Sequence, residues 1–132
     1  MKKQALAKYL ACEIDELEDS DEDSFKYGKQ EYKVLDDSEA DEKCETYIRD
    51  TLWAFNPNFL QAHLKNGIDA ESLIPMQEKM CESCNEIIFN LIKDYDHFVE
   101  DAIKCDGHGL FLSYYDGEEI DLENNLFAYR VL

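Results

Sequence analysis

One imidazole and four carboxylates gather in a short stretch of the chain, and these are the groups that acid–base and metal chemistry use. The stretch contains Asp94, Asp96, His97, Glu100 and Asp101. His97 and Asp101 are four residues apart, so a helix places both on one face. An acidic chain also produces such clusters on a solvated helix surface, and we favour that interpretation.

Cysteines form the second candidate for chemistry. Cys81 and Cys84 make a Cys-x-x-Cys motif, and Cys105 and His108 supply another ligand-like pair about 20 residues later, which resembles a zinc or redox spacing. A continuous helix of that length would hold the two pairs about 30 Å apart. Cys84 also belongs to an apolar stripe, where cysteine packs as a small hydrophobe. We therefore expect a packing role and no metal site.

A calcium loop is the third candidate, because Asp19, Asp21 and Asp23 stand at alternate positions. The sixth position of such a loop requires glycine and the twelfth requires a bidentate glutamate. The chain has Ser24 and Gln30 at these positions. The sequence thus predicts at most a weak association with divalent ions.

No motif in the chain is typical of an enzyme. No serine or cysteine nucleophile belongs to a local catalytic motif, and Gly107-His108-Gly109 has no phosphate-binding helix start after it. We expect a protein that is not an enzyme and has no cofactor. A metal-dependent or thiol enzyme is the third-ranked alternative.

Charge is the strongest signal in the sequence. The chain has 31 acidic and 13 basic residues, for a formal net charge of −18. Residues 13–45 hold fifteen acids against four lysines, whereas residues 46–75 are nearly neutral. Such a field repels nucleic acid and anionic membranes and attracts basic proteins. We expect a basic partner, with no direct binding of nucleic acid or membrane.

The expected binding face consists of acids from two neighbouring segments, and a second acidic face lies near the C-terminus. The first face contains Glu13, Asp15, Glu16, Glu18, Asp19, Asp21, Glu22, Asp23, Asp36, Asp37, Glu39, Asp41 and Glu42. The second contains Asp116, Glu118, Glu119, Asp121 and Glu123.

The elements that must position these acids follow from periodicity and from caps. Residues 2–11 predict a short helix, residues 13–23 an edge strand or loop, and residues 25–34 a hairpin that turns near Gly28. A capped helix should start near Asp37, bury a stripe as far as Phe55, and give way to a helix begun by Asn56-Pro57.

The rest of the chain predicts helices followed by a strand. A long helix is expected from Pro75 to about Asp94, another from Tyr95 to Lys104, then a loop or irregular hairpin and a C-terminal strand over residues 126–132. The predicted fold is α+β, with a small antiparallel sheet (N-terminal hairpin plus C-terminal strand) and helices packed on one face. Residues 1–132 should form a single globular domain, with 13–45 as its acidic hairpin and helix start.

Location follows from the N-terminus and the thiols. The N-terminal residues lack the apolar stretch of a signal peptide, and five cysteines are an odd number for a disulfide framework. We expect reduced thiols and a cytoplasmic protein.

Several segments resemble a family of small acidic proteins of phages and prophages. They are residues 32–41, 46–60, 96–102, 106–109 and 113–119, together with Tyr129-Arg130. The resemblance implies a setting, the cytoplasm of an infected host cell, and no catalytic residues.

In that setting the expected function is an anti-defence inhibitor, either anti-CRISPR or anti-restriction. Its acidic face would mimic nucleic acid and occupy a basic groove of a host protein that handles nucleic acid. The alternative is a small structural or assembly domain that forms homo-oligomers and uses its acidity for solubility only. The sequence leaves the oligomeric state open.

Overall fold

The computed structural model describes residues 1–132 and has an α+β fold with a five-stranded antiparallel sheet, as predicted. The helices are α1 Lys2–Leu10, α2 Asp37–Asp50, α3 Pro57–His63, α4 Ala70–Met80, α5 Asn85–Leu91 and α6 Tyr95–Leu112. The strands are β1 Glu18–Asp21, β2 Ser24–Tyr27, β3 Gln30–Asp36, β4 Ile120–Asp121 and β5 Leu126–Arg130. Short 3-10 turns lie at Ile14–Glu16, Leu52–Ala54 and Cys81–Cys84. None of the helices is both long enough and apolar enough to cross a membrane.

The chain groups into two compact units, the first made of residues 1–44 and 106–132 and the second of residues 45–105. The sheet belongs to the first unit and has the strand order β1-β2-β3-β5-β4. β2 and β3 form the predicted hairpin, in which Gly28 has a φ of 61° that suits glycine. The C-terminal strand β5 pairs with β3, as expected.

Both faces of the central strands β3 and β5 are buried. On one face Leu6 of α1 packs among Val34, Leu126 and Ala128, all of them buried. On the other face Leu35 and Tyr129 are fully buried as well. The sheet therefore contributes to core packing on both sides, beyond the single helical face that the sequence predicted.

α2 begins at Asp37, where predicted, and its capping box uses Asp36, one residue before the segment in which the cap was expected. The backbone N–H of Glu39 donates to Asp36 Oδ1 at 2.8 Å, and the N–H of Asp36 donates to Glu39 Oε1 at 3.0 Å. Each carboxylate satisfies a donor that the first helical turn leaves free. α2 ends at Asp50, so the prediction of one stripe running to Phe55 in a single helix is wrong.

The helices of the second unit differ most from the predicted ones. The helix predicted from Pro75 to Asp94 is interrupted: α4 ends at Met80, Cys81 has φ 49°, and α5 ends at Leu91. Pro75 lies inside α4 and does not start a helix. The predicted start of α3 is confirmed, since Asn56 Oδ1 accepts the Asn58 N–H at 2.8 Å.

Two amides flanking the interruption bind the backbone that follows α2. Gln77 Nε2 donates to the carbonyls of Trp53 and Phe55 at 2.9 and 2.8 Å. Asn85 Nδ2 donates to the Asp50 carbonyl at 2.7 Å, and its Oδ1 accepts the Trp53 N–H at 2.8 Å. These contacts provide partners for backbone groups between residues 50 and 55 that lie outside regular helix.

The glycines after Lys104 act as predicted in part. Gly107 has φ 78° and ψ 162° and kinks α6, so the break lies where expected. Helical structure nevertheless continues to Leu112, and the loop predicted from Leu110 is wrong there. Gly109 is needed for a close approach, because a Cβ at this position would lie 2.6 Å from the Gly117 carbonyl oxygen.

Candidate functional site: an acidic end of the sheet

The topology of the first unit carries acids from separate segments to one end of the sheet. β1, β3 and β4 end there, and β2 and β5 begin there, as their registers require. We call this region the acidic end. Its members are Asp21, Glu22, Asp23, Asp36, Asp37, Asp121 and Glu123. Acids from both predicted faces thus lie along the same end of the sheet, spread from one edge strand to the other.

Two lysines of α1 bind part of the acidic end. Lys2 Nζ lies 2.8 Å from Asp23 Oδ1 and 2.8 Å from Glu39 Oε1, and Lys8 Nζ lies 2.9 Å from Glu123 Oε2. The hydrogen bond from Lys2, together with the Asp36 N–H, lowers the pKa of Glu39 below its ordinary value. The Lys2 bridge therefore ties the turn after β1 to the start of α2.

The remaining acids at this end stay exposed. Asp21, Glu22, Asp37 and Asp121 are exposed and make no ion pair. Asp37 also lies in the first turn of α2, where the helix dipole stabilises a negative charge. These four carboxylates project uncompensated charge into solvent.

β1 extends the charge along the edge of the sheet. All four of its residues are exposed, and its outer side pairs with no other strand. Asp19 is paired, with Lys3 Nζ 3.1 Å away, whereas Glu18 has no ion pair. The strand offers carboxylates and free backbone groups on the same edge.

Several predicted site residues lie away from the acidic end. Glu13, Asp15 and Glu16 are exposed in the turn before β1, at the other end of that strand. Burial and then the charges of Glu16 and Glu13 raise the pKa of the Cys12 thiol beside this turn. Glu42 is exposed one turn into α2. The first predicted face is therefore split between two ends of the sheet.

The second predicted face is split too. Asp116 stabilises a turn by accepting the Glu118 N–H at 3.1 Å, and the Glu118 carbonyl accepts the Ser113 hydroxyl. Glu119 remains exposed but is hydrogen-bonded within the fold: its Oε2 accepts the Tyr129 hydroxyl at 2.6 Å. Only Asp121 and Glu123 of this face reach the acidic end.

A histidine joins that network to α2. His108 Nδ1 lies 3.1 Å from Glu119 Oε2, and its Nε2 lies 2.6 Å from Asp41 Oδ1. Only a doubly protonated ring donates to both carboxylates at once. Burial and the bond to Glu119 raise the pKa of the Tyr129 hydroxyl well above its ordinary value. Asp41 and Glu119 are thereby held in place rather than free for a partner.

The cysteines of the second candidate differ in burial. Cys84 is fully buried, as the packing interpretation predicts, whereas Cys81 and Cys105 are exposed. Two aspartates of the calcium pattern are bound by lysines, since Asp19 pairs with Lys3 and Asp23 pairs with Lys2.

A second histidine, which the sequence did not indicate as a ligand, lies beside His97 and Asp101. His63, at the end of α3, lies with His97 and Asp101 so that one ligand atom of each falls within 4.8 Å of the others. Asp94 instead caps α6, and Asp96 and Glu100 are exposed. The signal for His63 was only its place in a short apolar helix, which predicts burial and not a ligand.

Comparison of the chain with protein-family models, curated proteins and solved structures found no match.

Proposed function

We propose that this chain is a non-enzymatic interaction protein whose acidic end, with the β1 edge, occupies a basic groove of a protein that handles nucleic acid. The observation that carries the proposal is that β1, α2 and β4 place exposed carboxylates without ion pairs along one end of the sheet, from one edge to the other. A single-sign patch of this kind steers a basic partner and gives the complex a defined orientation.

Charge density supports nucleic acid mimicry in particular. β1 carries three carboxylates in four residues, or about one per 4.4 Å at about 3.3 Å per residue. One strand of duplex DNA carries one negative charge per ~3.4 Å of helix axis. On this edge Glu18 and Asp21 are available to such a groove, since Asp19 is paired with Lys3 and successive side chains of a strand point to opposite faces.

The same features oppose the homo-oligomer alternative at this edge. Two copies pairing through β1 would bring like charges directly opposite one another, which destabilises a strand pair. The register of β1 also shifts between Asp19 and Asp21, and such irregularities obstruct sheet extension. The charged edge therefore favours a basic partner over a second copy.

The partner class follows from the resemblance to small acidic phage proteins. In the cytoplasm of an infected cell, the basic grooves that such a protein gains from occupying are those of defence nucleases, including CRISPR effectors and restriction endonucleases. Inhibition needs no catalysis, because a bound acidic end excludes the nucleic acid from the groove.

The test is a binding assay against purified CRISPR effectors and restriction endonucleases, using two variants with the same change in net charge. The first, neutralised at the acidic end, carries Asp21→Asn, Glu22→Gln, Asp37→Asn and Asp121→Asn. The control carries Glu78→Gln, Glu82→Gln, Asp96→Asn and Glu100→Asn, all exposed in the second unit.

Four partner contacts of about 0.3–0.5 kcal/mol each amount to about tenfold in Kd. We expect that loss for the acidic-end variant, less than about threefold for the control, and weaker binding as salt rises. Equal losses in both variants, or binding that does not change with salt, would contradict the proposal.

A further inference from the structure

The second unit holds a cluster of metal-ligating side chains that the proposed function does not use. His63 is its fixed member, only 8% exposed. Its ring packs against Phe59 and Phe98, with centroids 5.2 and 5.1 Å away. Its Nε2 lies 2.9 Å from Asp101 Oδ2. The imidazole is thus held in one orientation beside a carboxylate.

Backbone pairing brings the start of α6 to this histidine. Leu64 and Ile92 form an antiparallel bridge, the Lys65 N–H donates to the Leu91 carbonyl at 2.9 Å, and the Lys93 N–H donates to the His63 carbonyl at 2.9 Å. The segment that leaves α3 is therefore fixed beside the segment that enters α6.

The cap of α6 then sets the other two ligands. Asp94 Oδ1 accepts the His97 N–H at 3.2 Å, which places His97 in the first helical turn. Asp101 follows one turn later on the same face. His97 is exposed, and the Asp101 side chain is 40% exposed. Two adjustable ligands thus stand beside a rigid one.

These three side chains line a cavity of about 370 Å³ together with Ala62, Lys93 and Asp94. We propose that His63, His97 and Asp101 bind a divalent transition-metal ion in this cavity. Two imidazoles and one carboxylate form the ligand set that zinc and ferrous iron share, whereas calcium and magnesium prefer oxygen ligands alone.

The distances suit a metal after small side-chain movements. Ligand atoms about 2.1 Å from a tetrahedral ion lie about 3.4 Å from one another. The distance between His63 Nε2 and Asp101 Oδ2 must increase from 2.9 Å. The distances from the His97 ligand atom to those of the other two residues are no more than 4.8 Å. Rotation of the exposed His97 and half-exposed Asp101 side chains supplies these shifts while His63 stays in place.

Three protein ligands leave at least one coordination position for a small exogenous ligand. Lys93 and Asp94 line the same cavity, so the position has one charge of each sign nearby.

Zinc titration of the purified, reduced protein tests the site. We expect one zinc ion per chain and a higher melting temperature with zinc, because the ion binds the folded state. His97→Ala and Asp101→Asn should each weaken zinc binding by about 100-fold or more, since even outer-shell changes cost 10–100-fold. Neither variant removes the buried ring of His63, and melting without zinc verifies their folding.

Asp96→Asn on the same helix and the double variant Cys81→Ser/Cys105→Ser are the matched controls, and both should bind zinc as the unaltered protein does. The proposal is overturned by binding of less than one ion per chain, by unchanged affinity in His97→Ala, or by loss of binding in the cysteine variant alone.

Discussion

Lys2 is the side chain that ties the acidic end together, and Lys2→Met tests that role while keeping the aliphatic stem. The Lys2 ammonium lies 2.8 Å from a carboxylate oxygen of Asp23 and 2.8 Å from one of Glu39. The Asp23 side chain is only 24% exposed and the Glu39 side chain 35%. Hydrogen bonds to charged groups contribute about 1.5–3 kcal/mol when buried, and exposed ion pairs about 0.2–1 kcal/mol. For this partly buried bridge we expect Lys2→Met to lower the free energy of unfolding by about 1.5 kcal/mol at neutral pH.

The stability lost in Lys2→Met depends on pH in a direction set by the pKa of Glu39. The pKa of Glu39 is lowered, so its contribution to stability is complete above the ordinary range of glutamate and disappears as the pH falls through the lower folded-state value. The gap between the unaltered protein and Lys2→Met should therefore be smaller in acid, below the lowered pKa of Glu39, than at neutral pH. Urea unfolding followed by circular dichroism measures the gap at both pH values.

Lys3→Met is the matched control, since Lys3 contacts Asp19 at 3.1 Å and that side chain is 77% exposed. It should cost about 0.3 kcal/mol at neutral pH. The reasoning fails if the two variants lose equal stability, or if the cost of Lys2→Met is the same at neutral and acidic pH.

Two further predictions concern the thiols and the second unit. At neutral pH a thiol reagent should label the exposed Cys81 and Cys105 quickly. It should reach Cys44 only on unfolding, because Cys44 is buried and burial raises its pKa to about 12. Rapid labelling of Cys44 in the folded protein would contradict its burial. Gln77→Leu should lower the free energy of unfolding by about 2–4 kcal/mol, since it removes both donors to the carbonyls of residues 53 and 55, and a loss under 1 kcal/mol in a denaturant titration would contradict that role.

Local signals were sufficient for much of the fold. Gly28 and the alternating residues around it specify the hairpin, and Asn56-Pro57 specifies the start of α3, because each of these features acts within a few residues of itself. The C-terminal strand was predicted in the same way, by its period of two.

The long helix expected after Pro75 failed because the decisive contacts are distant in sequence. Gln77 and Asn85 bind backbone groups of residues 50–55, and periodicity contains no information about those partners. An apolar stripe of correct spacing is equally consistent with one helix or with two that meet at Cys81, so tertiary hydrogen bonds decided the outcome.

The site could be predicted in composition but not in arrangement. Sequence charge identified the acids, yet strand order determines that Asp121 lies at the same end as Asp21, while Glu13 lies at the other. Likewise the spacing of His97 and Asp101 placed them on one helix face, which we interpreted as a solvated surface, whereas His63 lies beside them through the bridge between Leu64 and Ile92.

Displacement of duplex DNA from a bound defence nuclease is the most direct test of the claim that the acidic end occupies a nucleic acid groove. Fluorescence anisotropy of labelled DNA should fall as the protein is added, and the variant neutralised at Asp21, Glu22, Asp37 and Asp121 should require about tenfold more protein. A rise in anisotropy, which reports a ternary complex with DNA still bound, would contradict the account.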